Sequence, residues 1–173
     1  MRTLKTATHP DVHTLEDKSV FHRLASRAIV VRGTDILLLF TERYHDYSLP
    51  GGGVDSGENE VDGLIRELKE ETGAQNVRNI RPFGAYEEFR PWHKPDYDVM
   101  HMVSKCFWCD IDEELGEVSL EDYEVKNGMR PVWVNIHEAI THNKETMAKS
   151  DKQGLSVERE TFLLERIARE IAC

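Results

Sequence analysis

Residues 52–74 read GGVDSGENEVDGLIRELKEETGA, and the fold turns on how that stretch is understood. Val61, Leu64, Ile65 and Leu68 recur at i, i+3, i+4 and i+7, one apolar stripe on a helix running from about Glu58 to Thr72. Gly73 is placed to end that helix. At roughly 100° per residue, Glu67, Glu70 and Glu71 share an arc of about a quarter turn beside the stripe. Like charges at i+3 and i+4 repel by a few tenths of a kcal/mol per pair. They also crowd the C-terminal half, where the macrodipole is negative and cations are preferred. Local physics opposes the arrangement. An ordinary solvated face fits it if Arg66 pairs with Glu70 and Lys69 adds a nearby positive charge. The turn in front favours a second reading. The glycines of LPGGG (49–53) let a ligand approach the backbone closely. A loop carbonyl beside a group of carboxylates is an all-oxygen site suited to Mg²⁺ or Mn²⁺. Divalent cations would relieve both the mutual repulsion and the clash with the dipole.

Outward from this helix the pattern changes period. ASRAIVVRGTDILLLFTE gives two β-rich runs about a hairpin signal at Gly33-Thr34-Asp35. SLPGGG (48–53) ends a strand and opens a turn. Beyond the helix, VRNIRPFGAYEEFR and YDVMHMVSKCFWCDI read as long strands, joined by the loop PWHKPD. The acidic DEELGEVSLEDYEVKNG predicts an exposed connection, and RPVWVNI a short strand. Asn135 with Glu138 predicts a helix start. A last helix is expected over about Val157 to Ala172, packing through Phe162, Leu163, Ile167 and Ile171. Strands and helices in this order give a mixed α and β class. Expected boundaries are an N-terminal arm at 1–20, the main domain at 21–150, and a C-terminal helix at 151–173 packed on it.

The totals exclude several classes. A net charge of −10 over 173 residues argues against broad nucleic-acid binding, which needs a basic surface. No apolar run approaches a membrane span, the longest being ILLLF at 36–40. The N-terminus lacks the apolar stretch of a secretory signal, so a cytoplasmic protein is expected. Cys106 and Cys109 form a C-x-x-C inside a strand, where residues three apart face opposite ways, which disfavours a shared metal.

Residues 52–74 resemble the box of the Nudix hydrolase family (MutT-like) at every specified position. Gly52, Glu58, Arg66, Glu67, Leu68, Glu70, Glu71 and Gly73 fill it, and Ala74 is a small version of its final residue. SLPGGG before the box and RPVWVNIHEAI after it are companions typical of the family. The resemblance implies an α/β (α+β) fold, a Nudix-type α/β/α sandwich with a mixed sheet and the box helix packed against it. It implies cleavage of a nucleoside diphosphate linked to another moiety, with Mg²⁺ (or Mn²⁺) as cofactor. Glu67, Glu70 and Glu71 would bind the metal with the Gly51 carbonyl, while Glu58 supports the cluster and Arg66 positions it. The general base is a box glutamate in some members and a loop acid in others, which here offers Glu121, Asp122 or Glu124.

Outside the box, Arg43 is a candidate phosphate contact. Arg90, His93 and Lys94 form a cationic group beside Trp92, suggesting a lid with an aromatic for base stacking. Tyr47 and Tyr86 are candidates for the pocket lining, with packing as the competing role. His22, His101 and His137 show no metal spacing. Substrate choice lies outside the box. A proline a short way beyond it accompanies ADP-ribose cleavage in the family, and Pro91 stands 17 residues past Ala74. A nucleotide sugar, an oxidised nucleoside triphosphate, a dinucleoside polyphosphate or an RNA 5′ end fits the box equally. Family habit also allows a homodimer. The competing reading is a catalytically silent nucleotide-binding regulatory module; such modules usually lose a box acid, and here all are present.

Overall fold

Alternation along the strands assigns neighbouring apolar residues to opposite faces, because successive side chains on a pleated strand point apart. The computed structural model describes residues 1–172; Cys173, the third cysteine and the end of the expected 151–173 segment, lies outside the described residues. In chain order the elements are β1 (Thr3–Thr8), β2 (Val20–Ile29), β3 (Val31–Arg32), β4 (Asp35–Thr41), β5 (Asp46–Ser48) and β6 (Gly51–Gly53). Next come α1 (Glu60–Thr72), β7 (Arg78–Pro91), β8 (Val99–Asp110), α2 (Asp122–Asn127), β9 (Met129–Asn135), α3 (Ile136–Lys149) and α4 (Val157–Ala172).

The described strands form two sheets. One has the order β1-β7-β8-β2-β6 and is mixed: β1 with β7 and β2 with β8 run parallel, while β7 with β8 and β2 with β6 run antiparallel. In the other, β4 pairs along its whole length with β9 and at its two ends with β3 and β5. Ala28, Val30 and Leu37 pack against Leu64 and Leu68 of α1. Their immediate neighbours Ile29, Ile36 and Leu38 pack instead with Ile136 and Ala139 of α3 and Leu163, Leu164 and Ile167 of α4. The expected sandwich follows, with the box helix on one side and α3 and α4 on the other. Cys106 and Cys109 belong to opposite cores, as their spacing requires. Burial pushes both thiols up to about 12.

Local chemistry sets the boundaries. The Asn59 side chain accepts from the Asp62 N–H, so α1 begins at Glu60 and leaves Glu58 in the preceding turn. Gly73 closes it in the left-handed conformation. The acidic stretch expected as an exposed connection contains α2, because Glu121 and Glu124 form a capping box and Gly128 ends the turn. At the N-terminus, Thr3–Thr8 is an edge strand held along β7. α4 is more deeply packed than its apolar spacing suggests: Leu164 and Glu160 are fully buried, and Arg159 and Thr161 nearly so. No described helix is long and apolar enough to cross a membrane.

Candidate active site

The acid-rich face of α1 is organised around Arg66. Its Nε donates to Glu58 Oε2 at 2.8 Å and its Nη2 to Glu58 Oε1 at 3.0 Å, a two-pronged pairing with fixed geometry. Nη1 donates to Glu67 Oε1 at 3.1 Å and Glu70 Oε2 at 3.4 Å, and Nη2 also reaches the Gly53 carbonyl at 3.2 Å. The hydrogen bonds from Arg66, with the Asp55 N–H, hold the Glu58 carboxyl down at about 2. One guanidinium thus fixes the rotamers of three box glutamates and ties them to the glycine turn.

The glycines let that turn lie against the helix. A Cβ on Gly52 would stand 2.8 Å from Glu67 Oε1, inside the space the carboxylate occupies. Gly51, at φ +147°, would place one 2.1 Å from the Ser26 carbonyl oxygen. The Gly51 N–H donates to Glu71 Oε1 at 2.7 Å. Glu71 is 2% exposed, and burial drives its carboxyl well above the usual range. The hydrogen bond shared with Glu124 and the charges of Glu67 and Glu124 push the same way. Glu67 is also raised, chiefly by burial, with Arg66 opposing.

Glu124 arrives from α2, buried, with its Oε1 accepting from the Glu121 N–H at 2.9 Å. Glu121 and Asp122 are exposed, so Glu124 is the loop acid brought to this wall. A hard cation fits the donor set. The donors are carboxylate and carbonyl oxygens, those of Glu71 and Glu124 on buried residues, and their mutual repulsion is only partly offset by Arg66. Among the described residues no three acid, histidine or cysteine side chains are grouped so that they could hold a metal ion by themselves. An open wall suits an ion that keeps several water or substrate oxygens in its shell.

A cavity of about 300 Å³ brings part of this acid group together with a set of arginines. Gly51, Gly52, Glu71 and Glu124 line it together with Arg23, Arg27, Arg90, Arg159, Asp46 and Glu160, whereas Glu58, Glu67 and Glu70 lie outside it. Burial lowers the Arg27 and Arg90 guanidiniums, and for Arg27 the nearby Arg159 adds to the effect. An adjoining chamber of about 360 Å³ shares Arg23, Arg90 and Asp46 and is closed by Tyr44, Trp92, His93 and Met100. Trp92 is braced by Phe21, with ring centroids 4.9 Å apart, and its Nε1 donates to Asp96 at 2.8 Å. Lys94 is exposed, with its Nζ 5.9 Å from the Trp92 ring centre.

The remaining candidates lie elsewhere. Arg43 is exposed and donates to Asn127 Oδ1 at 3.1 Å, next to the chamber-lining Tyr44 but outside both chambers. Tyr86 is buried against Phe162 and lines neither chamber. Tyr47 packs on Phe40 and His142. The His22 and His101 rings touch each other, Nδ1 to Nδ1 at 2.8 Å, while His137 is exposed at the start of α3. Sequence reasoning missed Arg27, Arg159 and Glu160. Their signal was a charge inside an apolar run: Arg27 within ASRAIVV, and Arg159 and Glu160 one turn before Leu163 and Leu164.

The family model for the NUDIX domain matches residues 22–156. A stretch of 57 residues is 40% identical to the RNA pyrophosphohydrolase of Bartonella quintana (strain Toulouse), covering 33% of this chain and 30% of that protein. The chain thus spans under a third of that relative's length. The solved MutT NUDIX hydrolase from Burkholderia pseudomallei superposes with a TM-score of 0.52 at 20% identity, over 68% of this chain and 85% of that one. The mMutator MutT protein from Bacillus halodurans does so with 0.52 at 24%, over 69% and 72%. At such identities the likeness speaks for the fold, and the match to the domain speaks for descent: the chain belongs to the Nudix family.

Proposed function

We propose that the protein is a Mg²⁺-dependent (or Mn²⁺-dependent) pyrophosphohydrolase that cleaves a nucleoside diphosphate linked to another moiety by attack of water at phosphorus. The observation that carries this reading is a single cavity lined both by Glu71 of α1 and Glu124 of α2 and by four arginines. Glu67, Glu70, Glu71 and the Gly51 carbonyl would hold the ion, which when bound supplies charge neutralisation and an activated water. Arg66, locked by Glu58, keeps the carboxylates of Glu67 and Glu70 in place. Glu124, the buried loop acid, is stationed to take the water's proton. The arginines bind the substrate's phosphate oxygens and neutralise their charge. Trp92, with Lys94 beside it, offers the base a face to stack on, and Arg43 is left for an outer phosphate.

ADP-ribose, a nucleotide sugar or an oxidised nucleoside triphosphate suits the two joined chambers. The similarity to an RNA pyrophosphohydrolase adds a phosphorylated RNA end to the candidates. A net charge of −10 disfavours a long polyanion. The test is a panel of these compounds and 5′-triphosphorylated RNA, incubated with Mg²⁺, with released phosphate products measured. Turnover of at least one member, abolished by chelator, is expected. Binding of a nucleotide with no turnover of any panel member would favour the silent module instead.

A further inference from the structure

The family match ends at residue 156, and α4 begins at Val157, yet α4 contributes two charged residues to the wall of the cavity. Arg159 is 4% exposed and Glu160 fully buried. Together they form the middle of a ladder that crosses three elements. Glu160 Oε1 lies 3.8 Å from Arg27 Nη1 of β2 and 3.6 Å from Arg159 Nη2. Arg159 Nη1 donates to Glu88 Oε2 of β7 at 2.9 Å, and Glu88 Oε1 lies 3.6 Å from Arg90 Nη1.

Two features of the ladder point to a ligand. It carries three guanidiniums against two carboxylates, so it is cationic where it meets the cavity. It is also incompletely satisfied: among the described residues the buried Arg159 Nε has no acceptor, and the two Glu160 oxygens have no donor. Buried charges cost several kcal/mol each unless their hydrogen bonds are completed, and a buried unsatisfied group in a cavity wall calls for a reason. A phosphate oxygen supplies both the missing acceptor and the missing negative charge.

Resting on the pyrophosphohydrolase reading, the geometry points to the first turn of α4 as the phosphate-receiving wall of the site. Arg159, flanked by Arg27 and Arg90, takes the substrate phosphate that lies away from the acids of α1. Glu160 and Glu88 hold the three guanidiniums apart and aimed. α4 thereby becomes part of the binding site as well as a packing element, and substrate preference for a second, anionic phosphate is written outside the family domain.

The experiment compares the full-length wild type with Arg159→Gln and Arg159→Lys. Turnover is measured on whichever panel nucleotide is cleaved. Binding of α,β-methylene-ADP and of inorganic pyrophosphate is measured by calorimetry, and folding by thermal melting. Losing one charge-assisted contact predicts a rise in KM and in the pyrophosphate dissociation constant of roughly ten- to a hundred-fold for Arg159→Gln. The fall in kcat should be far smaller than that rise. Arg159→Lys, which keeps the charge and loses the planar fork, should recover part of the loss. An active wild type whose KM and pyrophosphate affinity survive both substitutions overturns the assignment. If Arg159→Gln does not fold, the same reading is taken from Arg159→Lys alone. A wild type that binds pyrophosphate through Arg159 yet cleaves nothing would leave this wall standing and bring down the hydrolase reading instead.

Discussion

Two charged groups contribute side chains to one cavity, and they are built in opposite ways. On the α1 side, Glu58, Glu67, Glu70 and Glu71 lie within fourteen consecutive positions; the first three share the guanidinium of Arg66, and Glu71 accepts from the Gly51 N–H. On the α4 side, Arg27, Glu88, Arg90, Arg159 and Glu160 come from β2, β7 and α4 and meet through contacts longer than hydrogen bonds, the Arg159–Glu88 bond excepted. The first group has an excess of negative charge and firmly fixed side chains. The second has an excess of positive charge and loosely matched partners. The difference is what a metal-and-phosphate site requires. Carboxylates must be positioned before the cation arrives, whereas guanidiniums can complete their bonds on the anion itself.

The sharpest way to break the comparison is to remove one acid from the rigid side. Glu70→Gln keeps size and hydrogen-bonding capacity but deletes a charge, and should lower kcat by roughly a thousand-fold, about 4 kcal/mol of barrier. The thermal midpoint should hardly move, because Glu70 is only partly buried. A rate within tenfold of wild type, on a folded protein, removes Glu70 from the metal ligands. The corresponding change on the other side is Glu160→Gln, and here the effect should appear in stability. Breaking a buried ion pair by neutralising one member usually costs about 3–5 kcal/mol, and Glu160 stands between Arg27 and Arg159. The opposing consideration is that neither Glu160 oxygen has a hydrogen bond among the described residues, so its desolvation is poorly offset. The pairing term wins if denaturant midpoints fall. A variant as stable as wild type, or more stable, would show that desolvation dominates.

The same contrast explains what was legible in the sequence. The helix, its apolar stripe and its row of acids follow from spacing within 23 residues, since i, i+3 and i+4 neighbours meet whatever the rest of the chain does. The strand alternation that sends Cys106 and Cys109 to opposite cores is equally local. Glu124 was one of three equivalent loop acids until α2 formed and turned it inward, a matter of capping chemistry within four residues that the acidic composition obscured. Arg159 and Glu160 could not be placed, because a charged pair at a helix start ordinarily faces water. Only the docking of α4 against β2 and β7 buries them. For Tyr86 both pocket lining and packing were open, and the structure packs it in the core against Phe162.

Asp46 offers the smallest and most specific test of how the two sides share the cavity. It is 6% exposed on β5, lines both chambers, and its carboxyl is pushed up to about 6 from an ordinary value of 3.8. Burial is the main cause, the charge of Glu160 adds to it, and Arg159 opposes. An acid with a raised pKa in the folded state binds its proton more tightly there than in the unfolded chain. Ionisation therefore disfavours folding, and the wild type should lose stability as pH rises from about 4 to about 6. Asp46→Asn cannot ionise. Its stability should match wild type below pH ~4 and exceed it by up to about 3 kcal/mol above pH ~6. Denaturant titrations of both proteins at acid and neutral pH would measure the gap. If instead Asp46→Asn is the less stable protein at neutral pH, Arg159 outweighs burial. Asp46 would then be a working member of the arginine ladder, taking up positive charge that the proposed phosphate would otherwise meet.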